Sequence, residues 1–295
     1  MTATPEEIWL DGAFRPAQGA IAANDRGLLL ADGVFDTALV LGGRVFRGTD
    51  HLQRLADACA ALQLPVQLAR LDEAMAALAE RCGNGSIRLT VTRGPAPRGL
   101  ARPAEPRPTV LGSIAPLAPA MMFRPVSLVT TAIRRNETSP TARLKSLAYL
   151  DAVLATDEAK AKGADDALFL NTAGRLASTC LANVFVADET RLSTPSLEEG
   201  VLAGITRKWI LGNAQALGLT AEEAPVTQAM AKGRPLFVAN SLRLIAPVTR
   251  LDGAALPQSE TAEVLAEGLC RAIAAECGRD PRDCGASLDA LRPRT

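Results

Sequence analysis

Lys145 is set in the run Arg143-Leu-Lys-Ser-Leu-Ala-Tyr-Leu-Asp151. Behind it come Leu147, Leu150, Val153 and Leu154 at helical spacing, which predicts a helix over 146–162 with that stripe buried and Lys145 just ahead of it. A lysine at the edge of a core is partly desolvated, and desolvation favours the neutral amine that a Schiff base requires. Glu199-Gly-Val-Leu-Ala-Gly-Ile-Thr-Arg207 reads as a loop feeding a helix. Gly204 permits close backbone approach there, and Ile205 and Thr206 present helix-terminal N–H groups as a cradle for an anion. Arg54 sits one turn into a helix opened by His51 and has the reach to grip a phosphate. Ser241 ends a strand, where a hydroxyl bonds a phosphate or caps a turn. Arg93 and Arg98 place a pair of guanidinium groups on one mobile loop, which suits a carboxylate. Taken singly, each is also what a surface lysine, an ordinary capped helix or a solvated basic loop looks like. Their joint order carries the argument.

The elements that must position these groups form two sets. Before residue 115, hairpins are expected at Asp11-Gly12 and Gly42-Gly43, helices over 51–64 and 72–81, and a strand over 87–92. Residues 95–108 read as an irregular loop rich in Pro and Arg, and 115–120 as an extended linker. Beyond it, strands are expected over 126–131, 167–170, 175–177, 184–187 and 235–239, with helices over 206–217 and 260–276. The expected domains are therefore 1–114 and 124–277, joined by 115–123 and followed by a tail, 278–295. A chain of 295 residues has room for both. Its 32 basic and 32 acidic side chains balance, so nothing asks for nucleic acid or an anionic membrane. No apolar run approaches the ~18 residues of a spanning helix, and a cytoplasmic enzyme is expected. Six cysteines without a C-x-x-C pair and a single histidine, His51, argue for free thiols and against a metal site.

In order, the chain carries Asp25-Arg-Gly-Leu-Leu-Leu-Ala-Asp-Gly-Val-Phe-Asp-Thr37, His51-Leu-Gln-Arg-Leu55, Thr92-Arg-Gly94 with Arg98, and Lys145-Ser-Leu-Ala-Tyr-Leu150. Leu181-Ala-Asn-Val-Phe185, Gly204-Ile-Thr-Arg207 and Asn240-Ser241 with Pro247-Val248 follow. In these pieces it resembles the fold-type IV pyridoxal-phosphate enzymes, the class IV aminotransferase family. The resemblance implies an α+β, two-domain fold: a small N-terminal α/β domain and a larger, mixed α/β, barrel-like domain. It implies pyridoxal 5'-phosphate as cofactor, a small amino substrate bearing a carboxylate, and a homodimer. It implies an aldimine on Lys145, which also shuttles the substrate proton. Arg54, Ile205, Thr206 and Ser241 would hold the cofactor phosphate, Tyr149 the phenolic oxygen, and Arg98, with Arg93, a substrate carboxylate. The family usually places a glutamate five residues before the asparagine of Asn183-Val-Phe185, against the pyridine nitrogen. Here that position is Ser178, a neutral hydroxyl that supplies no countercharge.

Within the family, Leu100 stands where D-amino-acid aminotransferases carry a carboxylate-binding histidine. Asn240-Ser-Leu-Arg-Leu-Ile-Ala-Pro-Val248 and Gly33-Val-Phe-Asp-Thr37 are similar to the 4-amino-4-deoxychorismate lyase branch. That branch implies release of pyruvate with formation of 4-aminobenzoate, with Thr37 as a donor to the leaving group. The alternative is an aminotransferase for D- or branched-chain amino acids.

Overall fold

The computed structural model describes residues 7–291. It divides into two compact units. One holds the chain through Leu117 together with Leu144–Ala148 and Glu276–Gly278; the other holds Ala118–Arg143, Tyr149–Ala275 and the chain from Arg279 on. The span 124–277 is therefore not one domain: the segment bearing Lys145 groups with the first unit.

The first unit is built from β1 (Glu7–Leu10), β2 (Ala13–Pro16), α1 (Arg26–Leu30), β3 (Gly33–Leu41), β4 (Arg44–Val45), α2 (Gly48–Ala61), α3 (Leu68–Cys82), β5 (Gly85–Thr92) and β6 (Thr109–Pro116). Its strands form one sheet in the order β2-β1-β6-β5-β3-β4. The β3–β4 hairpin turns at Gly42 and Gly43, whose φ values of 59° and 72° suit glycine and match the strand twist. Val34, Ala38 and Val40 of β3 and Ile87, Leu89 and Val91 of β5 form a core with Leu55 and Ala58 of α2 and Leu71, Met75 and Leu78 of α3. Strand β6 takes up only Ala115 and Pro116 of the expected linker over 115–120, within which the chain changes unit after Leu117. It pairs with β5 from Gly85↔Pro116 to Thr92↔Thr109, and its prolines fall at or beyond the strand ends, where no ladder donor is lost.

The second unit contains β7 (Val126–Arg135), α4 (Leu150–Ala161), β8 (Asp166–Asn171), β9 (Leu176–Thr179), β10 (Asn183–Asp188), β11 (Arg191–Pro195), α5 (Ile205–Asn213), β12 (Thr220–Ala224), α6 (Gln228–Ala231), β13 (Leu236–Asn240) and β14 (Leu244–Leu251). Strands β10-β13-β14-β7-β8-β9 close into a barrel, because β9 pairs back onto β10 through Ser178↔Asn183. Val184, Val186, Val238, Ala246, Leu168 and Leu170 share its apolar core. Phe185 and Phe237, on neighbouring strands, stack with ring centroids 4.8 Å apart. The fold class expected from the sequence, a smaller α/β unit and a larger barrel-like one, is the one observed.

Helix α4 is a correction. It begins at Leu150 and not at 146, and the stripe expected to be buried faces outward: Leu150 is 69% exposed, Val153 52% and Leu154 53%. The buried face is Ala152, Ala155 and Ala159, packed on Ala167 and Phe169 of β8. Small side chains let the helix lie close to the strand, so apolarity alone named the wrong face. All six cysteines are free thiols, and burial pushes the Cys59 thiol up to about 12 and Cys180 to about 11. The alanine contact is testable. Ala155 is fully buried, and Ala155→Leu is expected to cost about 1–3 kcal/mol through overpacking, read as a lower denaturant midpoint at unchanged slope.

Candidate active site

Strand β4 pairs only with Val40 and Leu41, which leaves the first half of β3 with an open edge. Leu144–Ala148 fills that edge. Phe35 N–H donates to the Lys145 carbonyl at 2.8 Å, and Leu147 N–H donates to the Gly33 carbonyl at 3.0 Å. A β-bridge between Val34 and Ser146 completes the strap. Gly33 is needed here: a Cβ would lie 2.5 Å from the Val91 carbonyl oxygen and 2.8 Å from Leu147. Lys145 is therefore held by strand pairing and not by the helix expected after it. Its side chain is half-buried, with Nζ 4.4 Å from the centroid of the Phe35 ring.

Alternation along β3 sorts its side chains. Phe35 and Thr37 leave one face, Val34, Asp36 and Ala38 the other. Thr37 is half-buried and lies opposite Arg88 of β5; Phe35 lies opposite Thr90. The Arg88 guanidinium carbon sits 3.5 Å from the Phe35 centroid. On the helix side, Asp36 is buried between His51 and Arg54. His51 Nδ1 is 2.6 Å from Asp36 Oδ1. Arg54 donates from Nε to Oδ2 and from Nη2 to Oδ1, each at 2.8 Å. Burial alone would raise the Asp36 pKa, but the Arg54 charge and the His51 hydrogen bond outweigh it and hold the carboxyl well below the usual range. Sequence reasoning placed Arg54 in the site and missed its partner Asp36, although both lie in the quoted motifs.

The loop arginines part company. Arg93 is 2% exposed; it donates from Nε to Asp32 at 2.7 Å and to the carbonyls of Leu62 and Gln63. It is a strut of the unit, which corrects the expected mobile pair. Arg26 shares Asp32 and donates to the carbonyls of Gly99, Leu100 and Ala101, so it fixes the loop that carries Arg98. Burial works against ionisation of Asp32, and its hydrogen bonds to both arginines still lower its pKa. Arg98 itself is exposed.

In the second unit, Gly204 is the N-cap of α5 and no side chain caps the helix. The N–H groups of Ile205 and Thr206 open it, and both residues are buried. A Cβ on Gly204 would fall 2.0 Å from Asn183 Oδ1, so only glycine fits. Asn183 Nδ2 donates to the Leu202 carbonyl at 2.9 Å and anchors the loop, a role the sequence reading did not assign. Ser178, half-buried, faces Asn183 across the barrel closure. Asn240 accepts from the N–H groups of Leu242 and Arg243, so the turn that presents Ser241 is braced from within. Tyr149 is the N-cap residue of α4 and packs on its alanine cluster.

A profile of the class IV amino-transferase family matches residues 33–251. A protein of Methanocaldococcus jannaschii, provisionally named a branched-chain-amino-acid aminotransferase, is 29% identical over 88% of this chain and 92% of its own. The aminodeoxychorismate lyase of Bacillus subtilis is 28% identical over 83% and 86%. The crystal structure of 4-amino-4-deoxychorismate lyase from Pseudomonas aeruginosa superposes with a TM-score of 0.82 at 31% identity, over 90% of this chain and 98% of that one. The family depends on pyridoxal 5'-phosphate. The residues here fit that group: a half-buried primary amine on an aromatic ring, and an uncapped helix N-terminus whose glycine admits no side chain.

The Asp36 network yields a prediction. Arg54→Ala strands a buried carboxylate and is expected to cost about 3–5 kcal/mol of stability even without cofactor, measured by urea unfolding. Because the folded Asp36 pKa is depressed, its contribution is complete above the unfolded value of about 3.9 and fades as pH falls through the folded one. Native protein should therefore lose Tm steeply only below about pH 4, and Asp36→Asn should show a shallower acid slope.

Proposed function

This chain belongs to the class IV aminotransferase family, and on that premise we propose that it is a lyase converting 4-amino-4-deoxychorismate to 4-aminobenzoate and pyruvate. The observation that carries the reading is Thr37, a hydroxyl placed on the same face of β3 as Phe35, whose ring lies 4.4 Å from the Lys145 amine. A hydroxyl on the face of the strand that the base rests on suits a reaction that expels an ether oxygen. When bound, pyridoxal phosphate supplies covalent attachment for the substrate amine and withdraws electrons from the neighbouring carbon. Lys145 takes the proton from that carbon. Thr37 donates a hydrogen bond to the enolpyruvyl oxygen as its bond to the ring breaks, and the departing enol becomes pyruvate. Aromatisation of the ring supplies driving force. Arg54, Ile205, Thr206 and Ser241 are assigned to the phosphate, Tyr149 to the phenolic oxygen, and Arg98 to a carboxylate.

Ser178 supports the same reading. A neutral hydroxyl opposite the pyridine nitrogen stabilises the protonated ring less than a carboxylate does, and an eliminating, aromatising reaction asks less of that ring than transamination. The second reading, a D- or branched-chain amino-acid aminotransferase, is favoured by the likeness to the M. jannaschii protein. We assign the enzyme to the cytoplasm; no helix among the described residues is long and apolar enough to cross a membrane. The exposed Leu150, Val153 and Leu154 support a homodimer, which light scattering would weigh directly.

Purified holoenzyme given aminodeoxychorismate is expected to release equal amounts of 4-aminobenzoate and pyruvate. Cofactor absorbance that instead cycles with amino acids and 2-oxoacids, without pyruvate release, decides for the aminotransferase. Borohydride should fix the cofactor to Lys145, and Lys145→Ala should abolish both the covalent link and turnover. Ser178→Glu, compared at saturating cofactor, should raise the fraction of protonated pyridine and speed amino-acid half-reactions more than lyase turnover. Normal cofactor binding with no such gain would mean that position 178 does not serve the ring nitrogen.

A further inference from the structure

Glu199 carries a buried carboxylate that has no part in the chemistry assigned to Lys145 and Thr37. It closes the short 3-10 turn Leu197–Glu199, five residues ahead of Gly204. Its Oε2 accepts from Asn171 Nδ2 at 2.5 Å and from Arg175 Nε at 2.6 Å. Asn171 ends β8 and Arg175 leads into β9, and the two also bond each other. Arg175 N–H donates to Asn171 Oδ1 at 2.9 Å, and Asn171 N–H donates to the Arg175 carbonyl at 2.8 Å. A carboxylate is stable at such depth because a guanidinium and a carboxamide are matched to it. The same hairpin is held at Thr172, whose N–H and hydroxyl donate to Glu137 at 3.0 and 2.7 Å. Gly200, at φ 79°, packs directly on that segment: a Cβ there would lie 2.8 Å from Glu137 Cα. Loop 200–204 is therefore pinned by Glu199 on the hairpin, by Gly200 on Glu137, and by the Leu202 carbonyl on Asn183. It ends at Gly204, where the N–H groups of Ile205 and Thr206 open α5.

We propose that Glu199 is a positioning residue for the cofactor phosphate, setting through the β8–β9 hairpin the loop whose end aims those two N–H groups. This rests on their assignment to the phosphate. Donors fixed in advance bind an anion without first being ordered, and that ordering is a cost of binding. Once the carboxylate is gone, the ligand itself has to order the loop. Affinity for the phosphorylated cofactor then falls, whereas affinity for the same ring without its phosphate does not.

The test strips cofactor from the native, Glu199→Ala and Glu199→Gln proteins and titrates back pyridoxal phosphate or pyridoxal, read by absorbance. Glu199→Ala is expected to raise the dissociation constant for pyridoxal phosphate roughly tenfold to hundredfold. Glu199→Gln keeps an acceptor for Asn171 and Arg175 and should fall between. Pyridoxal affinity should stay within about threefold of native in both. If Glu199→Ala does not fold, Glu199→Gln carries the test and must show the same selective loss. Equal weakening of both ligands marks a merely structural role and overturns the proposal, as does unchanged affinity for pyridoxal phosphate. Ile205→Pro tests the premise separately. Proline suits the first position of α5 behind an extended Gly204 (φ −67°, ψ 141°), and it deletes one N–H. It should weaken pyridoxal phosphate and spare pyridoxal. If it does not, the assignment of these N–H groups falls and the proposal with it. Selective loss in Ile205→Pro with none in the Glu199 variants overturns the role of Glu199 alone.

Discussion

The open edge of β3 is the constraint on which the site depends. Because β4 is only two residues long, the Gly33 carbonyl and the Phe35 N–H would otherwise lack a strand partner. The Leu144–Ala148 strap satisfies them with two backbone hydrogen bonds. Lys145 thereby inherits the precision of a sheet and not the looseness of a connection. Gly33 is the condition for it, since any side chain there would meet β5 or Leu147. The place of the amine over the Phe35 ring is a consequence of this one pairing.

Strand β3 serves a different purpose on each face. Asp36 faces α2 and ties it to the sheet through Arg54 and His51, at the cost of burying a carboxylate. That charge is tolerable because both oxygens are engaged and a guanidinium sits against it. Phe35 and Thr37, its neighbours, face the lysine side. The same device holds the loop of Arg98: Asp32 gathers Arg26 and Arg93, which between them bind five backbone carbonyls. In both places an aspartate fixes a guanidinium: Asp36 ties a helix to the sheet, and Asp32 orders, through two arginines, chain that has no regular structure of its own.

Local signals in the sequence were good guides. The glycine pairs marked real turns, the amphipathic spacing over 51–64 and 72–81 marked α2 and α3, and Gly204-Ile-Thr206 marked an uncapped helix start. What could not be read was non-local. Arg93 looks like a free loop arginine until Asp32, 61 residues earlier, is beside it. Lys145 looks like the approach to a helix because its true partner is a strand more than a hundred residues before it. Helix α4 misled for another reason: its alanines and its leucines both repeat at helical spacing, and hydrophobicity favoured the leucines where close packing on β8 required the alanines.

The barrel of the second unit is sealed at Ser178 and Asn183. Backbone pairing there does not depend on which side chain residue 178 carries, whereas Asn183 is locked by Gly204 and the Leu202 carbonyl. The seam therefore works as a keyed socket with one fixed and one exchangeable tooth. The ring of strands can thus stay shut while the side chain at 178 changes, because its closure is written in the backbone and not in that residue's type.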